Sequence, residues 1–429
     1  MDYRIFPPEE ILETTVQLPP SKSVAARSLI MYFIAGGCKP LSVNLPADAD
    51  CDDIAVLAAI LGVGLPTDGA TVDAGSSGTA LRMLTALAAA VPGVHCRING
   101  TDSLRARPIG PLVDALRELG ADIKFTVREG YAPVEIHGRQ LAGGQISLDP
   151  SASSQYATAL MLAAVLMDKP LTIKYTVPTV SGPYVQLTAH MMSARGVAAE
   201  ADAEGVAVGA GMYSPRTTAD LEPDWSAAAF WYEIAAITAG WVTLRGMRTG
   251  SKQPDAAAAA LFEKLGVLTE FTEEGAELSA SPELFSFLEL DVSETPDLVP
   301  PLVVTACMVG VPFRLTGVAG LRHKESDRLA ALRDELLKTG CVLSIGAYDN
   351  VLEWDGTRVP IRELPVFDSH SDHRIAMALA AVAVFIPGIV VRDAGCVAKS
   401  YPGFWSSLAD AGFTLADPAA PMPEREEQP

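Results

Sequence analysis

Six times along the chain, an apolar stretch of helical pattern ends in a glycine and runs into a β-like segment. The clearest copies are Ala58-Ala59-Ile60-Leu61-Gly62-Val63, Leu116-Arg117-Glu118-Leu119-Gly120-Ala121 and Phe262-Glu263-Lys264-Leu265-Gly266-Val267, with weaker ones centred on Gly196, Gly340 and Gly412. Successive glycines lie 58 to 76 residues apart. Glycine takes the left-handed conformation that ends a helix and lets the chain turn into a strand. One such junction is common in any α/β protein, but six at near-regular spacing predict a repeated α/β unit. Three units precede Glu222-Pro223-Asp224 and three follow. That segment is the expected boundary and hinge between two similar domains, with a ligand cleft between them.

Size agrees with this division. At 429 residues the chain exceeds one ordinary core, and its 49% hydrophobic and 20% charged content is that of a globular α/β protein. Disorder is expected only in the Pro- and Glu-bearing tail from about residue 417. A net charge of −20 excludes a general nucleic-acid or acidic-membrane surface, which needs a basic face. An anionic substrate must therefore be held by a few Lys and Arg focused in a cleft.

The six cysteines (Cys38, Cys51, Cys96, Cys307, Cys341 and Cys396) form no CxxC and have no histidines at metal-ligand spacing, so we expect a reducing, cytoplasmic setting. His370-Ser371-Asp372-His373 lacks a third ligand cluster, and no metal or cofactor is expected. The Met1 to Ile11 segment has no apolar signal core. The longest apolar stretch, Ile375 to Val391, is broken by Pro387-Gly388 and reads as a buried helix then a buried strand, short of a membrane span.

Several helix entrances carry hydroxyls and cations. Pro19-Pro20-Ser21-Lys22-Ser23 precedes an apolar helix in which Ser23 and Arg27 share a face. Free N–H groups, the positive end of the dipole and two cations make a phosphate site there, although a serine cap with two solvated cations has the same sequence. Gly75-Ser76-Ser77-Gly78-Thr79 opens a helix carrying Arg82, and Ser151-Ala152-Ser153-Ser154-Gln155 opens another. Lys324-Glu325-Ser326-Asp327-Arg328 and Ser371-Asp372-His373-Arg374 are expected to start two more, with Lys324 and Arg328 on one helix face. Basic residues at a helix N-terminus oppose its dipole, and an anionic ligand removes the conflict. The alternative for the Lys324 cluster is a surface ion-pair network. No GxxxxGK[ST], GxGxxG or GxSxG is present, which counts against nucleotide-driven phosphoryl transfer and serine hydrolysis.

Pro20-Ser21-Lys22-Ser23 with Arg27, Gly78-Thr79-Ala80 with Arg82, Arg105-Ala106-Arg107-Pro108-Ile109-Gly110, Ser153-Ser154-Gln155, Lys324-Glu325-Ser326-Asp327-Arg328, Asp372-His373-Arg374 and Lys399-Ser400-Tyr401-Pro402 together resemble the 5-enolpyruvylshikimate-3-phosphate synthase family of enolpyruvyl transferases. The resemblance implies two inside-out α/β domains of three repeats each, in agreement with the six units counted above. It also implies that the extreme N-terminus joins the C-terminal domain, giving residues 19–222 as one domain and 1–18 with 223–429 as the other. The expected partners are two small molecules, phosphoenolpyruvate and shikimate-3-phosphate, and the chain is expected to act as a monomer.

Carried over position by position, the resemblance assigns Lys22, Ser23, Arg27, Ser153, Ser154, Gln155, Ser181, Tyr184, Asp297 and Lys324 to shikimate-3-phosphate. It assigns Lys22, Gly78, Arg107, Gln155, Arg328, Arg374 and Lys399 to phosphoenolpyruvate. Asp297 matches the base for the acceptor hydroxyl, and Glu325 with Lys22 matches the groups that move a proton at the enolpyruvyl methylene. Ser76, Met83, Gly182 and Gly320 depart from the residues common in the family. A related transferase acting on UDP-N-acetylglucosamine uses a loop cysteine, and the loop Ser103-Leu104-Arg105-Ala106-Arg107-Pro108 has none. The reading from another class is a metabolite-binding protein without chemistry, which would not require Asp297 and Glu325.

Overall fold

The glycines that mark the repeat end helices as expected. Gly120, Gly196, Gly266, Gly340 and Gly412 all have φ between 87° and 98°. The first copy is displaced. The Asp52–Val63 helix carries Gly62 inside it, and Gly64, at φ 94°, is the residue that turns the chain. Gly62 is tolerated there because the helix is already bounded by a better terminator two residues on.

The structure, a computed structural model, describes residues 1–41, 51–177, 182–215, 221–281 and 283–419. The described residues hold five four-stranded sheets of one topology. In each, the unit's first strand runs parallel to its second, the second antiparallel to the fourth, and the fourth antiparallel to the third. Thus Ile146 pairs with Ile173, Ile173 with Val206, and Val206 with Ala201. Two units complete this pattern with strands from the start of the chain. Tyr3–Phe6 lies between Ile389–Arg392 and Thr414–Ala416, antiparallel to both. Glu13–Val16 runs parallel to Trp241–Arg245. Of the remaining unit the helices Lys22–Ala35 and Asp52–Val63 are described.

The first helix of each unit is buried nearly all round. Gly78–Ala90 buries every residue but Thr79, and His373–Ala380 buries all of its residues. A helix apolar on every face belongs in a core, and the runs Ala86–Ala90 and Ala376–Ala381 keep these helices thin enough to lie together. The sheets are outside and alternate buried with exposed side chains, as in Trp241–Arg245. This is the inside-out arrangement. Buried apolar residues form two clusters, one from Ala25 to Tyr213 and one from Ile5 to Leu18 with Trp225 to Phe413. No helix among the described residues is long and apolar enough to cross a membrane.

Candidate active site

The six inner helices start at one place. Lys22 and Ser23, Gly78 and Thr79, Ser154 and Gln155, Ser226 and Ala227, Pro296 and Asp297, and His373 and Arg374 all line one cleft of roughly 1380 Å³, open to solvent. Each repeat therefore aims an N-terminus, worth roughly half a positive charge, at the same space. The first turns are built locally. Ser21 caps Val24, Ser77 caps Ala80, and Asp372 accepts the Arg374 N–H at 3.0 Å. Asp224 caps Ala227 at 3.0 Å and accepts the Lys22 N–H at 2.9 Å, so one carboxylate ties helices of the two halves together.

The charge in the cleft is opposite to that of the whole chain. Seven Lys or Arg side chains line it against four carboxylates. Arg27 is buried, and its guanidinium donates to neutral acceptors, the Ser23 and Tyr184 carbonyls and the Thr188 hydroxyl, at 2.8 to 3.0 Å. Burial without a counter-ion pulls its pKa down to about 10. Arg82 donates to Gln155 Oε1 at 2.6 Å, and burial next to Arg107 pulls it also to about 10. The Nε atoms of Arg82 and Arg107 have no hydrogen-bond partner among the described residues. An arriving anion supplies what these groups lack.

Gly78 matters for its missing side chain. A Cβ there would lie 2.7 Å from Arg82 Nη1 and 2.8 Å from Arg107 Nη1. The glycine thus lets two guanidiniums converge where a helix N-terminus also points. At Gly320 a Cβ would meet nothing within 4 Å, so this departure leaves open space in the cleft.

On the other wall, Asp297 receives three cations: Arg328 at 2.9 Å, Arg374 at 3.1 Å and Lys324 at 3.3 Å. Burial opposes its ionisation, but Arg374, Lys324 and Arg328 outweigh burial and hold its pKa well below the carboxylate range. Glu325 is treated the same way by Arg328 at 2.9 Å, Lys399 at 3.5 Å and Arg107 at 3.6 Å, and its pKa is also held well below normal against the effect of burial. Arg328, 1% exposed, is fixed from behind by Asp372 at 2.8 Å. Burial works against the charge of Lys22, but Asp53 at 3.0 Å overrides it and raises the ammonium's pKa.

The expected site residues therefore come together. Lys22, Ser23, Arg27, Gly78, Arg107, Ser153, Ser154, Gln155, Tyr184, Asp297, Lys324, Glu325, Arg328 and Arg374 line the cleft, and Lys399 lines an adjoining hollow with Arg107 and Glu325. Ser181 lies outside the described residues. One expectation is corrected. Lys324 and Glu325 are not on a helix, because Asp327 caps Ala330 and the helix begins at Arg328. Lys324 is extended, at φ −82° and ψ −152°, and the segment is drawn inward by the Arg328 to Glu325 contact.

Asp53 and Asp224, whose partners are remote along the chain, were not among the expected site residues, and His373 was expected at a helix entrance and in the Asp372-His373-Arg374 motif but given no role in the site. His373 is 1% exposed, lines the cleft and has neither ring nitrogen hydrogen-bonded among the described residues. Its place after a capping aspartate at a helix entrance was the available signal.

Repeated inside-out α/β units whose helix N-termini and cations converge on one cleft make a protein of the class that holds phosphorylated, anionic substrates. A family model for EPSP synthase (3-phosphoshikimate 1-carboxyvinyltransferase) matches residues 7–408. The 3-phosphoshikimate 1-carboxyvinyltransferase of Bacteroides fragilis (strain YCH46) is 40% identical over 420 residues, covering 97% of this chain and 99% of its own. That of Methanoculleus marisnigri is 33% identical over 414 residues, 92% of this chain and 96% of its own. EPSP synthase from Acinetobacter baumannii shares the fold with a TM-score of 0.71 at 23% identity, over 97% of this chain and 100% of that one. The chain belongs to the EPSP synthase family, whose reaction transfers the enolpyruvyl group of phosphoenolpyruvate to shikimate-3-phosphate in the shikimate pathway.

Proposed function

We propose that this cleft carries out that transfer with Asp297 as the base, Glu325 and Lys22 at the methylene, and the surrounding cations as holders of phosphate and carboxylate. The observation that carries this reading is that the cations assigned to the substrates are the ones now shared with Asp297 and Glu325. A carboxylate pinned by three cations is a poor base. Substrate phosphates and carboxylates compete for Lys324, Arg374, Arg107 and Lys399, and each cation drawn away raises the pKa of the carboxylate it leaves. Asp297 then becomes basic enough to take the 5-hydroxyl proton as that oxygen attacks C2 of phosphoenolpyruvate. Glu325, its pKa raised in the same way, takes a proton from solvent and delivers it to C3. The tetrahedral adduct collapses when C3 returns a proton to the Glu325 carboxylate and the C2–O bond to phosphate breaks, with the departing charge stabilised by the same cations.

Shikimate-3-phosphate is proposed to sit against Ser23, Arg27, Ser153, Ser154, Gln155, Tyr184 and Lys324, with phosphoenolpyruvate against Lys22, Gly78, Arg107, Arg328, Arg374 and Lys399. Residues 19–222 and 1–18 with 223–429 act as two bodies that close on them. The chain is read as a monomer, and six free cysteines support a reducing, cytoplasmic setting. Transfer to UDP-N-acetylglucosamine is disfavoured because Cys96 is buried in the His95–Asn99 strand. Cys396, which borders the adjoining hollow, is held protonated by burial, its pKa pushed up to about 11. The test is phosphate release from phosphoenolpyruvate with each acceptor. Release that requires shikimate-3-phosphate and survives iodoacetamide is expected, and release driven by the nucleotide sugar would sink the reading.

A further inference from the structure

On the outer sheet of the N-terminal half, the strand His95–Asn99 sets His95 directly opposite His137 of Val134–His137. Glu135, two residues before His137, shares that face because side chains alternate along a strand. The two imidazoles stack with centroids 4.1 Å apart and planes 21° from parallel. His95 Nε2 lies 3.4 Å and His137 Nε2 3.8 Å from the same oxygen, Glu135 Oε1. One donor atom from each of the three residues falls within 4.8 Å of the others, and this is the one such group of His, Cys, Asp and Glu among the described residues. Zinc held at 2.0 to 2.2 Å in a tetrahedron places neighbouring donors about 3.3 Å apart. Two of the separations here are close to that.

The surroundings fit an open site. The three side chains are 33% to 42% exposed, so a cation reaches them from solvent. Room for the ring of His95 comes from Gly69, where a Cβ would sit 3.0 Å from Cε1. Arg97 and Lys124 stand opposite Glu135 on the flanking strands, yet the carboxylate's oxygen is turned to the imidazoles. These two cations make the site weaker than a closed structural zinc centre.

We propose that His95, Glu135 and His137 bind a divalent transition metal of the zinc type, with two imidazole nitrogens and a carboxylate oxygen as ligands and solvent completing the tetrahedron. The metal joins two neighbouring strands and stabilises the sheet, apart from the transferase cleft. Spacing along the chain does not reveal it, because His95 lies 40 residues before Glu135 and only strand register brings them together.

The test is isothermal titration of the chelator-treated full chain with zinc chloride, alongside thermal melting. Wild type is expected to take up one equivalent and to melt at higher temperature with zinc. The double variant His95→Asn/His137→Gln is expected to lose the equivalent and the shift, with its transferase activity in the absence of zinc unchanged. Glu135→Gln, which keeps both imidazoles, is expected to bind at least tenfold more weakly and serves if the double variant misfolds. Equal zinc binding by wild type and the variants, or none by wild type at millimolar zinc, overturns the proposal.

Discussion

The Lys399 ammonium donates to the Ser76 carbonyl at 3.1 Å while standing 3.5 Å from Glu325. One side chain thus spans the two halves and touches a carboxylate assigned to proton transfer. The acceptor is backbone, so the contact does not depend on the serine that departs from the family. Lys399→Met is expected to lower kcat/KM for phosphoenolpyruvate by about 10²-fold to 10³-fold, the usual effect of removing one charge-stabilising donor. Steady-state kinetics with shikimate-3-phosphate saturating checks it, and a change under threefold would show the lysine to be a spectator.

Cations from both halves face the same cleft, so substrates should draw the halves together and exclude water. Small-angle scattering should show a smaller radius of gyration once shikimate-3-phosphate is added. An unchanged radius argues for a cleft that is already closed.

Gly78→Ala separates binding from folding. The nearest atoms its Cβ would meet are the guanidinium ends of Arg82 and Arg107, which move aside with little strain, so stability should fall by less than about 1 kcal/mol. The displaced guanidiniums should raise KM for phosphoenolpyruvate about tenfold or more, since small misplacements of positioning groups are expensive in catalysis. Denaturant unfolding and KM measured on the same preparation decide this. A wild-type KM would mean the two arginines do not hold that substrate.

His373 should make the fold acid-sensitive. Burial, with repulsion from Lys22 and Arg374, holds its pKa well below 6.5, and Glu325 offsets this only in part. Below pH 6.5 the unfolded chain takes up a proton that the native chain refuses. The contribution is therefore complete above that pH and is lost below it, at about 1.4 kcal/mol per pH unit. Asp255 acts in the opposite sense. Burial and Asp297 push its carboxyl up to about 6, and this favours the fold as pH falls. The comparison must therefore be with His373→Asn. From pH 6 to 5 the wild type should lose unfolding free energy relative to the variant, with a slope that approaches about 1.4 kcal/mol per pH unit at most. Parallel curves would contradict a neutral, buried imidazole.

Much of this was legible in the sequence because helix terminators and caps are local. Five of the six repeat glycines and the entrances at Ser21, Ser77 and Asp372 needed no tertiary information. Gly62 misled because Gly64, two residues on, does the turning. Lys324 and Glu325 were read as helical because their spacing to Arg328 suits a helix, whereas the Asp327 cap starts the helix later. Asp53, Asp224 and the His95 cluster were hidden for a different reason. Their partners are tens to hundreds of residues away, and no periodicity records such a pairing.

The central claim is that Asp297 takes the acceptor proton. Rapid-quench single turnover with both substrates bound, comparing wild type with Asp297→Ala, tests it most directly. In the variant, formation of the tetrahedral adduct is expected to slow by about 10²-fold to 10⁴-fold while shikimate-3-phosphate still binds. Adduct formation at the wild-type rate in that variant would place the base elsewhere.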